Sequence, residues 1–83
     1  MKHYSVYVIQ SEVNGSFYVG MAQDIAVRLK EHNDRKSTYT KSFVPWRLIY
    51  FEEVGETSLA RKREKYLKST AGKNFLRKQG VID

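Results

Sequence analysis

The sequence predicts an α+β fold, a three-stranded antiparallel sheet flanked by helices in the order β-β-α-β-α-α. Two observations carry this prediction. Residues 3–10, 16–20 and 46–54 are short runs rich in Val, Ile and aromatic side chains, the composition of strands. The segments that start near Asp24 and Ser58 have the apolar spacing of helices. Helices and sheet must then cover one another's apolar faces.

The elements follow in order. HYSVYVIQ (3–10) reads as the first strand, and Asn14-Gly15 after it is a strong hairpin signal. SFYVG (16–20) is then a second strand, antiparallel to the first. Asp24 suits a helix N-cap, and the helix should run to about Asn33. Residues 34–45, DRKSTYTKSFVP, are polar and irregular and read as a loop that ends at the single proline, Pro45. WRLIYFEEV (46–54) is the third strand. Thr57 is the expected N-cap of a helix from Ser58 to about Ser69. Gly72 should break it, leaving KNFLRKQ as one more short helical piece.

The length of 83 residues suits one domain spanning 1–83, with a small core. The absence of cysteine excludes disulfides, thiolate catalysis and thiolate metal sites, and fits a reducing, cytoplasmic setting. No apolar run approaches the ~20 residues of a membrane span. The amino-terminal stretch is too short and polar for a signal peptide.

The net charge of +6 is unevenly placed. Residues 1–60 hold 7 Lys/Arg and 7 Asp/Glu, whereas residues 61–78 hold 8 Lys/Arg against Glu64 alone. A local basic excess of this kind meets phosphates and makes a nucleic acid the leading partner. A solvated basic helix face is the plainer explanation.

Helical wheels locate the polar residues. With Ile25 at 0°, Leu29 falls at about 40° and Ala26 at about 100°, which marks an inward stripe. Arg28 at about 300° and His32 at about 340° border that stripe. An arginine there is costly unless something anionic meets it. With Leu59 at 0°, Tyr66, Leu67 and Ala60 fall at about 340°, 80° and 100°. Arg63 then lies inside the stripe at about 40° and Glu64 on its edge at about 140°. Arg61, Lys62, Lys65 and Lys68 spread over the outer face. Glu64, ionised among basic residues, suits either a divalent cation or an ion pair with Arg63 or Arg28. His32 suits a buried structural role as well as a chemical one, and Tyr7 and Tyr18 suit sheet packing.

The order of these residues is more specific than any one of them. Tyr7 closes SVY, and YVG (18–20) closes the second strand. Arg28 follows Gly20, then His32, and Glu64 lies on a later helix in ARKREKYLK. This succession resembles the GIY-YIG nuclease superfamily, and more narrowly small stand-alone members related to the nuclease domain of the excision-repair subunit UvrC. STYTK followed by PWRLIYFEE also looks like that subgroup. The resemblance covers about Tyr4 to Leu76.

The resemblance implies metal-dependent hydrolysis of DNA phosphodiesters, with a DNA-repair flavour. Glu64 would be the sole protein ligand of one Mg²⁺ or Mn²⁺. Arg28 would neutralise charge on the phosphate in the transition state. Tyr7 or Tyr18 would orient or deprotonate the attacking water, with its pKa lowered by Arg28 and the metal. His32 would support that tyrosine. Gly20 would let the backbone pass close to the sheet–helix junction, and Lys41, Arg61, Arg63, Lys65 and Lys68 would meet the nucleic acid. Two departures stand out. Ser5 replaces the glycine of GIY, and Met21 stands where the repair-type domain has a lysine. Asn74 is a loose counterpart of an asparagine found after the glutamate helix in larger members.

Three functions are compatible with this sequence. They are a DNA endonuclease, a non-catalytic nucleic-acid-binding module and a protein adaptor that uses the basic helix. The charge suits RNA as well as DNA. The small surface of so short a chain favours a protein partner that supplies specificity.

Overall fold

The computed structural model describes residues 3–83. Its elements are β1 (Tyr4–Ser11), β2 (Phe17–Ala22), α1 (Ile25–Asn33), β3 (Trp46–Gly55), α2 (Thr57–Lys68) and α3 (Thr70–Lys78), with a 3-10 turn at Lys41–Phe43. The sheet order is β2-β1-β3, and both pairings are antiparallel. The expected order and sheet type are therefore observed. β2 extends two residues further than the sequence suggested, to Ala22.

Alternation along β1 builds two cores. Val6 and Val8 face α2 and α3, where Ala60, Leu67 and Leu76 are buried against them. Tyr7 and Ile9 face the other way, toward Trp46, Ala22 and the α1 residues Ile25 and Leu29. Tyr7 pairs with Gly20 on β2, so the tyrosine and the glycine share one face. The hairpin turns at Gly15, whose φ of +75° is a conformation that favours glycine. Asn14 Oδ1 accepts from the Ser16 N–H at 3.0 Å and fixes the turn.

Two helix boundaries differ from expectation. Glu56, not Thr57, occupies the N-cap of α2 and makes no side-chain capping bond, so α2 is held by packing. Gly72 does not break a helix. It lies inside α3, which is capped by the Ser69 hydroxyl accepting from the Gly72 N–H at 3.2 Å. Its missing side chain lets α3 close on α2, because a Cβ there would collide with the Tyr66 carbonyl. The α2 stripe is also rotated from the one drawn on Leu59. Leu59 and Tyr66 are exposed, whereas Ala60 and Leu67 are fully buried. The inward direction thus lies closer to Glu64 than the wheel implied. On α1, His32 and not Ala26 is the buried residue.

The loop before β3 is tied at both ends. Asn33 brackets the Trp46 backbone, accepting from its N–H at 2.7 Å and donating to its carbonyl at 3.0 Å. The Trp46 indole N–H donates to the Thr40 carbonyl at 2.9 Å. Ser11 Oγ donates to the Phe43 carbonyl at 2.6 Å.

Candidate active site

The site forms where α1, the loop after it and α2 meet at the β2 edge of the sheet. Tyr7 rises from the middle of β1 and is 1% exposed. Its hydroxyl lies 2.8 Å from His32 Nε2. His32, 0% exposed near the end of α1, places Nδ1 2.7 Å from Thr40 Oγ1. The Tyr18 ring meets His32 edge-on, with centroids 5.1 Å apart. Tyr39 packs on Tyr18, with ring centroids 5.5 Å apart.

Gly20 has a sharper job than a close backbone pass. A Cβ at this position would fall 2.5 Å from the Tyr7 hydroxyl oxygen and 2.6 Å from its Cζ. The glycine makes the room in which the phenol stands.

Arg28 lies beside this group. One arm of its guanidinium donates to Glu31 at 3.2 Å, and its charge acts on both Tyr7 and His32. Glu64 approaches from α2, and its charge is also felt at the Tyr7 phenol. Its carboxylate pairs at 3.5 Å with Lys68, one turn further on, instead of with Arg63 or Arg28. The Lys68 ammonium stands 6.0 Å over the Tyr18 ring. Tyr7, Tyr18, Arg28, His32, Glu64 and Lys68 are thus one neighbourhood.

The electrostatics bear on one expectation. Arg28 by itself does not bring the Tyr7 pKa down. Burial, with Tyr18 and Glu64 adding to it, pushes the phenol up to about 12 against the opposing pull of Arg28. His32 is held below the usual histidine range, first by burial and then by the Arg28 charge.

Other expected residues go elsewhere. Arg63 is bound to both oxygens of Glu52, at 2.6 and 3.0 Å, and stacks over Tyr66 and Phe75. Two of its nitrogens hold α2 on β3 through Glu52, which gives it a structural contact away from the Tyr7–His32 pair. Arg61 and Lys65 line a shallow groove with Lys62 on the outer face of α2. Lys41 is exposed in the turn that follows Thr40. Met21 packs on the apolar core against α2 and α3. Asn74 is exposed and accepts from Arg77 at 3.0 Å.

Beside Tyr18 opens a groove of about 570 Å³. Phe17, Tyr18 and Tyr39 give it aromatic walls, and Lys68, Lys73 and Arg77 outnumber Asp83 in its lining. Thr40 and Tyr39 were not singled out by sequence reasoning, and Lys73 and Arg77 entered it only as part of the basic run 61–78. Only the STYTK string pointed near the first two, and it assigned them no role.

Among the described residues, no three His, Cys, Asp or Glu side chains gather as a metal cluster. Two carboxylates lie at the site: Glu31, taken up by Arg28, and Glu64, half-buried and paired with the exposed Lys68. That donor set fits a hard divalent cation that keeps most of its waters, such as Mg²⁺.

The comparisons agree with this geometry. The family described as "GIY-YIG catalytic domain" matches residues 3–78. A UPF0213 protein of Staphylococcus saprophyticus is 39% identical over 69 residues, covering 82% of each chain. A UPF0213 protein of Staphylococcus aureus is 35% identical over 78 residues, covering 93% of this chain and 94% of that one. The solution NMR structure of the UPF0213 protein BH0048 from Bacillus halodurans superposes with a TM-score of 0.55 at 30% identity, over 95% of this chain and 85% of the other. With the family match running through both tyrosines, the arginine, the histidine and the glutamate, this chain belongs to the GIY-YIG family, whose fold is of the nuclease type.

Proposed function

We propose that this chain is a metal-dependent endonuclease that hydrolyses phosphodiester bonds in DNA. The observation that carries this reading is the buried Tyr7–His32 hydrogen bond, with the Arg28 charge acting on both side chains and the Glu64 charge on the Tyr7 phenol. A buried proton-transfer pair that feels a cation and a carboxylate suits a phosphate and the water that attacks it.

The roles follow from the chemistry of each group. Glu64 would hold the divalent ion, which when bound supplies Lewis acidity at the phosphate and the leaving oxygen. Arg28 has guanidinium donors free to meet charge as it builds on the phosphate oxygens. Tyr7 orients the attacking water and passes a proton on to His32 Nε2. Burial holds the Tyr7 pKa up, at about 12, so the tyrosine gives up its proton as it gains one from the water, with His32 as the base behind it. Lys68, Lys73 and Arg77 extend the positive surface along the groove beside Tyr18, where a backbone can lie and bases can meet aromatic rings.

Incubation of the protein with supercoiled and branched DNA tests the reading. Nicking with Mg²⁺ or Mn²⁺ that stops with chelator and falls at least ~10²-fold in Glu64→Ala is expected. Cleavage that persists in Glu64→Ala removes the metal role from this residue. Tight DNA binding by the wild type without any cleavage leaves a binding module.

A further inference from the structure

Thr40 enters the site through the one polar atom it presents to His32, and its surroundings fix what that atom can do. The imidazole is fully buried and has one partner at each nitrogen, Tyr7 at Nε2 and Thr40 at Nδ1. A neutral imidazole has one N–H and one lone pair, so the two hydroxyls must play opposite parts. Arg28 decides which. A guanidinium only donates, so the Tyr7 hydroxyl proton cannot be directed at it. The acceptor at hydrogen-bond distance from the phenol is His32 Nε2. That choice puts the ring proton on Nδ1, facing Thr40, whose own hydroxyl proton then turns away from the ring.

We infer that Thr40 is a positioning residue whose Oγ1 accepts the His32 Nδ1–H and so holds the imidazole in the tautomer that takes the Tyr7 proton. The inference rests on the nuclease reading for its purpose, though not for its geometry. Thr40 is well held for this task. It is 0% exposed, and its carbonyl accepts the Trp46 indole N–H at 2.9 Å. Asn33, next to His32, grips the Trp46 backbone from the other side. The histidine and the threonine are thus braced by the same tryptophan.

The test is the tautomer of His32, read by long-range ¹H–¹⁵N correlation of its ring in the wild type, Thr40→Val and Thr40→Ser. A protonated Nδ1 and a bare Nε2 are expected in the wild type and in Thr40→Ser. Thr40→Val keeps the shape but removes the acceptor, and is expected to move the proton to Nε2 or split the population. Its cleavage should fall about 10–10²-fold in kcat with little change in KM for DNA, and Thr40→Ser should recover most of it. A wild-type ring protonated on Nε2 overturns the inference, as does a Thr40→Val ring with Nδ1 still the protonated nitrogen. An unchanged kcat in Thr40→Val beside a shifted tautomer overturns it too. If Thr40→Val does not fold, the wild-type ring alone decides. Absence of cleavage in the wild type counts against the nuclease reading, and the NMR still decides the part played by Thr40.

Discussion

Arg28 and Arg63 sit at almost the same depth, with side chains 35% and 32% exposed. Each lies on a helix that packs on the sheet, and each has an acid beside it. They differ in what their donors do. Arg63 gives Nε and an Nη to both oxygens of Glu52, which also accepts from Tyr50, and two aromatic rings flank its plane. Arg28 gives a single Nη to Glu31 and turns toward Tyr7 and His32. Depth therefore does not separate a structural arginine from a functional one. What separates them is how many nitrogens a carboxylate engages, two of Arg63's and one of Arg28's.

The sharpest way to break this contrast is to remove each arginine in turn. Arg28→Ala is expected to lower cleavage about 10²–10³-fold, the loss typical of a group that meets transition-state charge. Urea unfolding of that variant should shift little, because a single exposed i,i+3 ion pair contributes below ~0.5 kcal/mol. Arg63→Ala should do the reverse. It leaves Glu52 half-buried without its partner, and should cost about 1–3 kcal/mol while cleavage per folded molecule stays near wild type. If Arg63→Ala abolished cleavage at full stability, the assignment of the two arginines would be inverted.

Gly20→Ala probes the same neighbourhood from the sheet side. The added methyl meets the Tyr7 hydroxyl and ring carbon, which are fixed by the bond to His32 and by burial. Overpacking of this kind costs about 1–3 kcal/mol. The phenol must also tilt, so cleavage should fall further than stability alone accounts for. Wild-type cleavage by Gly20→Ala at normal stability would mean that the Tyr7 hydroxyl position is unimportant.

Much of this was legible in the sequence, for physical reasons. Strands announced themselves by β-branched and aromatic runs, and Asn14-Gly15 set the hairpin, because both signals are local. The ordered tyrosines, glycine, arginine, histidine and glutamate were legible through the resemblance, and the fold brings all of them to one edge of the sheet. What failed depended on neighbours distant in the chain. Gly72 reads as a breaker locally, yet it is the contact that lets α3 approach α2. Arg63 reads as a basic side chain available to phosphate, yet Glu52 on another element claims it. Leu59 reads as core and is half exposed, because Ala60 and Leu67 face the sheet instead. Thr40 lies in a polar loop without periodicity, so nothing local marks it as the partner of a histidine eight residues earlier.

The smallest expected effect is a pH dependence that tells the two arginines apart. Burial, then the Arg28 charge, hold His32 below its ordinary pKa of ~6.5 in the folded chain. The unfolded chain therefore binds more protons than the folded one as pH falls through and below that ordinary value. Stability tied to neutral His32 is fully present above ~6.5 and is lost as pH drops toward the folded pKa. Urea midpoints measured from pH 7.5 down to 5 should decline, and His32→Gln should flatten the part of the decline that belongs to the imidazole. Arg28→Ala removes the second cause of the depression, so its folded pKa should rise toward the unfolded one and its decline should be shallower than wild type. Arg63 does not act on His32, so Arg63→Ala should show the wild-type slope at a lower overall stability. Equal slopes in the Arg28 and Arg63 variants would mean that the Arg28 charge does not reach the imidazole, and would remove it from the electrostatics of the site.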